Sequence, residues 1–201
     1  MSLNNDVSEV VRHATHTPWV AENLWLLYRH DVDTYRHSCR VGIRSVELGI
    51  LDGVEKQTYA LLAVCGLLHD IGKTSVPSKY LNKNGPLTPD EQEVMDRHPL
   101  RGFMLLKSDH RVPPEVLRSV VSHHTWQRRR YPDNVPALAG ISREIAQIVA
   151  LADSYDALTS ERAYKKALPH EKAIDILRAQ YTGEPRLLER AERLEPLVKM
   201  H

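Results

Sequence analysis

Several sequence features that are typical of particular classes of protein are scarce or absent in this sequence. Its 201 residues include two cysteines and one phenylalanine, and Cys39 and Cys65 both lie in apolar stretches. Such cysteines indicate buried thiols in a reducing compartment, and they exclude a disulfide framework. The longest apolar runs, such as residues 61–68, are much shorter than the roughly 20 residues of a membrane span. No basic and apolar leader with a cleavage site is seen, so we expect a cytoplasmic protein.

Excess charge of one sign is also lacking. The 27 lysines and arginines nearly balance the 26 aspartates and glutamates, which gives a net charge of +1. This balance creates no strong field for nucleic acid or for a membrane surface, so we expect no DNA partner. The composition is 42% hydrophobic, and we find no repeats or low-complexity tracts. We therefore expect one domain with a sizeable core.

Alternating, strand-like segments are absent, and nearly every segment has a helical period. We predict an all-α fold, a helical bundle with a metal site in its core. The most apolar predicted helix runs from Tyr59 to Ile71, and Thr88 and Glu91 have the spacing of a capping box. His98 precedes Pro99 and interrupts the following helix, because proline disfavours α geometry in the residue before it.

Histidine is the residue in excess, with eleven in the chain. His69 and Asp70 end the apolar run, and Lys73 follows one turn later. A buried imidazole and carboxylate without partners are costly, and a metal ion would compensate them. We predict Asp70 and Lys73 as catalytic residues, with the ammonium beside the metal and ready to meet a phosphate. The structural alternative is that His69 caps a carbonyl group and Asp70 pairs with Lys73.

Other histidines and acids lie at the ends of apolar helices or inside them. The candidate metal ligands are His37, His69, Asp70, His98, His123, His124 and Asp153. A helical bundle could direct these side chains toward one centre and hold two metal ions. Two ions roughly 3.5–4 Å apart activate water and bind a phosphoryl oxygen, so the pattern favours hydrolysis of a phosphate ester. Asp33, four residues before His37, is either an extra ligand or a local hydrogen-bond partner.

The order of these motifs resembles the HD-GYP family over roughly residues 31 to 180. The matching segments are His37, His69-Asp70-Ile71-Gly72-Lys73, His98-Pro99, His123-His124, Tyr131-Pro132, Asp153–Ser160, Arg162 and Tyr164-Lys165. Members of this family are described as helical, metal-dependent phosphodiesterases that act on cyclic di-GMP. The resemblance implies an HD-domain bundle over residues 31–201, preceded by an N-terminal helical extension over residues 1–30.

The resemblance also implies roles for individual residues. One metal would be held by His37, His69, Asp70 and Asp153. Asp70 would bridge to a second metal, held by His98, His123 and His124. The substrate would be bound by Lys73, Tyr131, Arg162 and Lys165. Some members carry a third metal, for which Asp33 occupies the matching place.

Two departures from the family pattern lie near the predicted site. Thr125 stands where the family usually has glutamate, and three arginines, residues 128–130, replace a glycine-rich loop before Tyr131 and Pro132. Arginine lacks the freedom of glycine at positive φ, so we expect the loop to follow another path. The arginines are either a solvated edge or a contact for an anion or a protein partner, through the loop Arg128–Pro132.

We therefore predict a metal-dependent phosphodiesterase that hydrolyses cyclic di-GMP to linear pGpG, with GMP as a further product. Two divalent ions are expected, with a third as an alternative. The resemblance implies iron or manganese, and zinc, nickel and magnesium are alternatives. Two other functions stay open. One is a catalytically weak nucleotide-binding or interaction module, to which the altered loop points, and the other is an HD phosphohydrolase of another nucleotide.

Overall fold

The computed structural model describes the backbone of residues 3–161 and 166–195, with side chains from residue 6 onward. Over these ranges the fold is all-α, as predicted, with short 3-10 helices at Lys56–Thr58 and Ile71–Ser75. The α-helices are α1 (Leu3–His16), α2 (Pro18–His30), α3 (Val32–Asp52), α4 (Tyr59–Leu68), α5 (Ser78–Leu81), α6 (Pro89–Asp96), α7 (His98–Leu106), α8 (Pro114–Ser122), α9 (Gly140–Thr159), α10 (His170–Gln180) and α11 (Pro185–Ala191). None of these helices has the length and apolar character needed to cross a membrane.

Helix α4 lies at the centre of the bundle. It contains no charged residue, and its residues from Leu62 to Leu68 are buried against α1, α3, α8 and α9. Gly66 of α4 meets Gly42 of α3 at close range, because a Cβ at Gly66 would lie 2.8 Å from the Gly42 Cα. This backbone contact fixes the C-terminal end of α4, where His69 and Asp70 follow.

The first two helices pack on the same core. Val7 and Val11 of α1, and Val20 and Leu24 of α2, are buried. Both helices contact α3 and α4. The residues predicted as an N-terminal extension therefore contribute apolar side chains to the bundle, and the domain boundary at residue 31 stays a prediction.

The end of α4 differs from the prediction of a helix through Ile71, which is wrong for its last residues. The α-helix ends at Leu68, and the chain tightens into the 3-10 helix Ile71–Ser75. The tighter turn carries Gly72 against α7, where a Cβ would lie only 1.9 Å from the carbonyl oxygen of His98. The local geometry at Asp70 is thus coupled to the start of α7.

The starts of α6 and α7 agree with the predictions made from the sequence. Thr88 Oγ1 accepts a hydrogen bond from the Glu91 amide over 3.3 Å, and Glu91 Oε2 accepts one from the Thr88 amide over 2.8 Å, which confirms the capping box. The predicted interruption is also confirmed, because α6 ends at Asp96 and α7 begins at His98 with Pro99 in its first turn. His98 is buried at this break.

Candidate metal centre

Asp70 lies in the turn after α4 with its side chain 1% exposed. Its Oδ2 atom lies 3.3 Å from His69 Nε2 and 3.7 Å from His37 Nε2. Its Oδ1 atom lies 3.1 Å from His98 Nε2 and 3.9 Å from His123 Nε2. The two carboxylate oxygens therefore face different histidines, and the carboxylate lies between two sets of imidazoles.

The candidate ligands divide into two groups on either side of Asp70. The first ligand group consists of His37, His69 and Asp153, and Asp153 Oδ1 lies 3.0 Å from His37 Nε2 and 3.7 Å from His69 Nε2. The second ligand group consists of His98, His123 and His124, whose ligand atoms lie within 4.8 Å of one another. The fold thus brings together all seven ligands that the sequence predicted.

Three of the histidines are oriented by the same kind of hydrogen bond to the local backbone. His69, His98 and His123 each follow the last turn of a helix, and each Nδ1–H donates over 2.8 Å to the carbonyl oxygen three residues earlier. Carbonyl groups at helix C-termini lack partners within the helix, so these bonds satisfy them. They also hold a proton on Nδ1 and direct Nε2 at the cluster, where a cation can bind in place of any proton on that nitrogen. The capping and ligand hypotheses for His69 are therefore compatible.

His37 lies inside α3 and is oriented by a residue that the sequence reading missed. Its Nδ1–H donates to Asp156 Oδ2 over 2.6 Å. Asp156 also accepts from Arg40 Nε over 2.7 Å, from Arg40 Nη2 over 3.0 Å and from Ser160 Oγ over 2.7 Å. Burial raises the pKa of Asp156, but His37 and Arg40 outweigh it and hold that pKa well below the usual range.

A spacing signal for these partners was present in the sequence. Asp156 follows Asp153 by three residues, and Arg40 follows His37 by three, so each pair lies on one helical face. An ionised carboxylate behind a ligating imidazole fixes its orientation and raises its basicity.

His124 is oriented by an aromatic contact. The Tyr131 ring stacks on it with centroids 4.3 Å apart and an interplanar angle of 24°. Arg129 lies over the Tyr131 ring at 5.4 Å and pairs with Asp96 of α6. The loop that the sequence singled out thus covers one side of the second ligand group, with Tyr131 innermost.

The charge state of the cluster fits a divalent cation. Burial raises the pKa of Asp70 and of Asp153, but Lys73 and His69 at Asp70, and His37 and His69 at Asp153, outweigh it and keep both carboxyls ionised. Burial and the neighbouring His69 and His98 lower the pKa of His123 to about 3, so its imidazole is neutral. Ionised carboxylates and neutral imidazoles are the donors that zinc, iron and manganese prefer.

Buried nitrogen and oxygen atoms without hydrogen-bond partners also indicate a metal site. His69 Nε2, Asp70 Oδ1 and His124 Nδ1 are buried without a hydrogen-bond partner. His98 Nε2 and His123 Nε2 lie 3.2 Å apart, although both imidazoles already carry their proton on Nδ1. Two facing lone pairs are unfavourable unless a cation lies between them. Buried polar atoms without a hydrogen-bond partner need an explanation, and bound metal ions would supply one.

Lys73 lies at the edge of the cluster. Its Nζ donates to Asp70 Oδ2 over 2.5 Å, and its side chain is 16% exposed. The contact forms through the 3-10 turn, and not through a continued α-helix as predicted. A cavity of about 260 Å³ opens here, and Lys73, His98, His124, Tyr131 and Asp153 contribute to its lining.

The remaining predicted site residues are not at the cluster or are not described. The Asp33 side chain is 48% exposed and lies 3.9 Å from Arg36 Nη1. It lines a small cavity of about 60 Å³ that also reaches His37 and Lys73, so its role as a third-metal ligand stays a prediction. Arg162 and Lys165 fall outside the described residues.

Known proteins are similar to this chain in sequence and in fold. The model of the HD domain family matches residues 26–184. A cyclic di-GMP phosphodiesterase of Thermotoga maritima is 36% identical over 156 residues, which cover 75% of this chain and 41% of the relative. The cyclic di-GMP phosphodiesterase PA4108 of Pseudomonas aeruginosa is 32% identical over 181 residues, which cover 88% of this chain and 42% of the relative. The chain thus spans less than half the length of these curated relatives.

A solved structure has the same fold. It is the HD domain of the phosphodiesterase PgpH from L. monocytogenes in complex with cyclic-di-AMP, with a TM-score of 0.62 and 20% sequence identity. The match covers 85% of this chain and 92% of that domain. The resemblance drawn from the motif order is confirmed by the family match and by the curated relatives.

Proposed function

Because the chain belongs to the HD-domain family, we propose that it is a metal-dependent phosphodiesterase that hydrolyses cyclic di-GMP to linear pGpG. The names of the two curated relatives support this substrate. The observation that carries the proposal is Asp70, whose Oδ2 faces His37 and His69 and whose Oδ1 faces His98 and His123. A single carboxylate between two sets of imidazoles suits two ions that share one bridging ligand.

The cofactor in this proposal is a pair of divalent ions, iron or manganese. The first would be held by His37, His69, Asp70 and Asp153, and the second by Asp70, His98, His123 and His124. Such a pair supplies Lewis-acid stabilisation of a phosphoryl group and a water of lowered pKa. A third ion near Asp33 stays an extension of the proposal.

Lys73 would stabilise the developing charge on the phosphate. Its ammonium already lies 2.5 Å from Asp70 Oδ2 and faces the cavity, so a small rotation can bring it to a phosphoryl oxygen. A preorganised cation in a site that excludes water stabilises negative charge more strongly than it would in water.

Tyr131 would bind the substrate as a neutral phenol. Burial, reinforced by the carboxylates of Asp153 and Asp70, raises its pKa above the usual range. Its hydroxyl group therefore keeps its proton and can donate to a phosphate oxygen. Arg162 and Lys165 are proposed to contact the phosphates as well, by resemblance to the family.

The test is hydrolysis of cyclic di-GMP by the full chain loaded with Mn²⁺ or Fe²⁺. We expect pGpG as the first product by chromatography, with GMP appearing later if the linear dinucleotide is cut again. Asp70→Asn should remove activity and lower the metal content. No product from a sample that carries two ions per chain, or an active Asp70→Asn variant, would overturn the proposal.

Two outcomes of the same experiment distinguish the other functions. Tight binding of cyclic di-GMP without product over hours would indicate a binding module. Hydrolysis of other nucleotides, but not of cyclic di-GMP, would indicate a different HD phosphohydrolase. The protein partner predicted at the Arg128–Pro132 loop stays a proposal, supported by the exposed side chains of Arg128 and Arg130.

A further inference from the structure

A polar side chain that is not a candidate metal ligand lines the cavity beside the candidate metal centre. Gln127 contributes to the wall that also contains Lys73, His98 and Asp153. A ligand that reached the metal centre through this cavity would therefore pass Gln127. Leu158 and Leu177 line the same cavity and give it apolar surface for a flat ring.

The orientation of the Gln127 amide is fixed by its neighbours. Ser154 Oγ donates its only proton to the Ala150 carbonyl oxygen over 2.8 Å, so it can act only as an acceptor toward Gln127. Gln127 Nε2 donates to Ser154 Oγ over 3.0 Å. The amide nitrogen is thereby held at Ser154, and Oε1 is left as the acceptor that Gln127 can offer to a ligand.

The backbone around Gln127 is also held in place. Gln127 forms an isolated bridge with Tyr181. The Arg128 amide donates to the Gln180 carbonyl oxygen over 3.0 Å, and the Thr182 amide donates to the Trp126 carbonyl oxygen over 2.8 Å. The backbone on both sides of Gln127 is therefore tied to the end of α10 and the residues that follow it, which helps to preorganise the acceptor.

We propose that Gln127 is a specificity-determining residue, whose Oε1 accepts a hydrogen bond from one base of the cyclic dinucleotide and favours guanine over adenine. This inference rests on the proposed function. Guanine presents two adjacent donors, N1–H and the N2 amino group, on its Watson–Crick edge. Adenine presents its N6 amino group next to an unprotonated N1, whose lone pair would repel a fixed acceptor. A single fixed acceptor therefore meets two donors on guanine, but one donor beside a lone pair on adenine, and this difference in hydrogen bonding would discriminate between the two bases.

The experiment compares Gln127→Met with the parent chain, both loaded with Mn²⁺. The guanine preference is the ratio of kcat/KM for cyclic di-GMP to kcat/KM for cyclic di-AMP. We expect it to fall about three- to tenfold in Gln127→Met, the range of one hydrogen bond, mainly through a higher KM for cyclic di-GMP. Ser154→Ala, which frees the amide to rotate, should lower the same ratio by a smaller factor. Gln57→Met, at an exposed glutamine outside this cavity, should leave the ratio unchanged.

Other outcomes decide against the inference. A parent chain that prefers cyclic di-AMP, or a Gln127→Met variant with the parent ratio, would overturn it. If the parent hydrolyses neither dinucleotide, nor the base-free diester bis(p-nitrophenyl) phosphate, the proposed function fails by itself. The ratio of dissociation constants for the two dinucleotides, measured by calorimetry, then tests Gln127 in the same way. Absence of binding by both dinucleotides would overturn the inference too.

Discussion

His37 Nδ1 and Asp156 Oδ2 lie 2.6 Å apart, and the Arg40 guanidinium donates to both oxygens of the same carboxylate. Helix α3 thereby presents His37 to the metal centre in a single ring orientation. The contact joins residues 119 positions apart in sequence, so it also ties α3 to α9 at the point where the first ligand group forms.

Asp156→Asn should weaken metal binding without unfolding the protein. The amide cannot stabilise the imidazole as a carboxylate does, and loss of such a partner typically costs about 10- to 100-fold in metal affinity. Competition with a chromophoric chelator measures the affinity for Mn²⁺ or Zn²⁺. Asp175→Asn, at an aspartate whose side chain is 72% exposed on α10, is the matched control and should bind metal as the parent does. Equal affinities for the two variants would contradict the role of Asp156.

Metal binding should release protons and weaken as the pH falls. Burial lowers the pKa of His69, but the carboxylates of Asp70 and Asp153 outweigh burial and raise it to about 10 in the metal-free protein. Below that pH a cation must displace the His69 proton, so its apparent affinity should drop by up to about tenfold per pH unit for each proton released. Calorimetry at pH 8 in buffers of different ionisation enthalpy counts the protons. Affinity that does not change between pH 6 and pH 9 would contradict this protonation state.

Lys73→Met should lower kcat while the metal content stays at the level of the parent. Loss of one preorganised charge donor typically costs about 10²- to 10³-fold in kcat. Steady-state kinetics with cyclic di-GMP, paired with elemental analysis of the same samples, separates the two effects. The control Lys107→Met changes an exposed lysine just after α7 and should keep the parent rate. A Lys73→Met variant within twofold of the parent would remove Lys73 from the mechanism.

Gly72→Ala should damage the second ligand group through the fold. The added methyl group would lie 1.9 Å from the His98 carbonyl oxygen and 2.5 Å from the Gly102 amide, so α7 must move away. Overpacking of this kind typically costs about 1–3 kcal/mol of unfolding free energy. Urea denaturation measures the loss, and elemental analysis should show less than the parent content of metal. Unchanged stability and metal content would mean that α7 is not held by this contact.

The clustering of the candidate ligands could be anticipated in part, because some of them lie at positions with a local signal. His69 and Asp70 end an apolar run, and His98 precedes a proline that breaks a helix. All three side chains are buried in the structure. The substrate-binding role of Tyr131 was predicted from the resemblance alone and stays a prediction, and its stacking on His124 is a tertiary contact.

The positioning residues could not be predicted with the same ease. Asp156 and Arg40 meet only after α3 and α9 pack, and their partners depend on the rotation of each helix about its axis. The end of α4 at Leu68 could not be predicted either, because the apolar pattern of the sequence continues through Ile71. Four residues after that end, Gly72 approaches the backbone of α7 closely, and this contact joins segments far apart in sequence.

The central claim is that Asp70 bridges two cations held by the two ligand groups, and anomalous diffraction from crystals of the Mn²⁺-loaded chain tests it most directly. Two anomalous peaks roughly 3.5–4 Å apart are expected, one beside each Asp70 oxygen. The first should lie among His37, His69 and Asp153, and the second among His98, His123 and His124. A metal-loaded crystal with no peak at Asp70, or with these histidines bound to one another through hydrogen bonds alone, would contradict it.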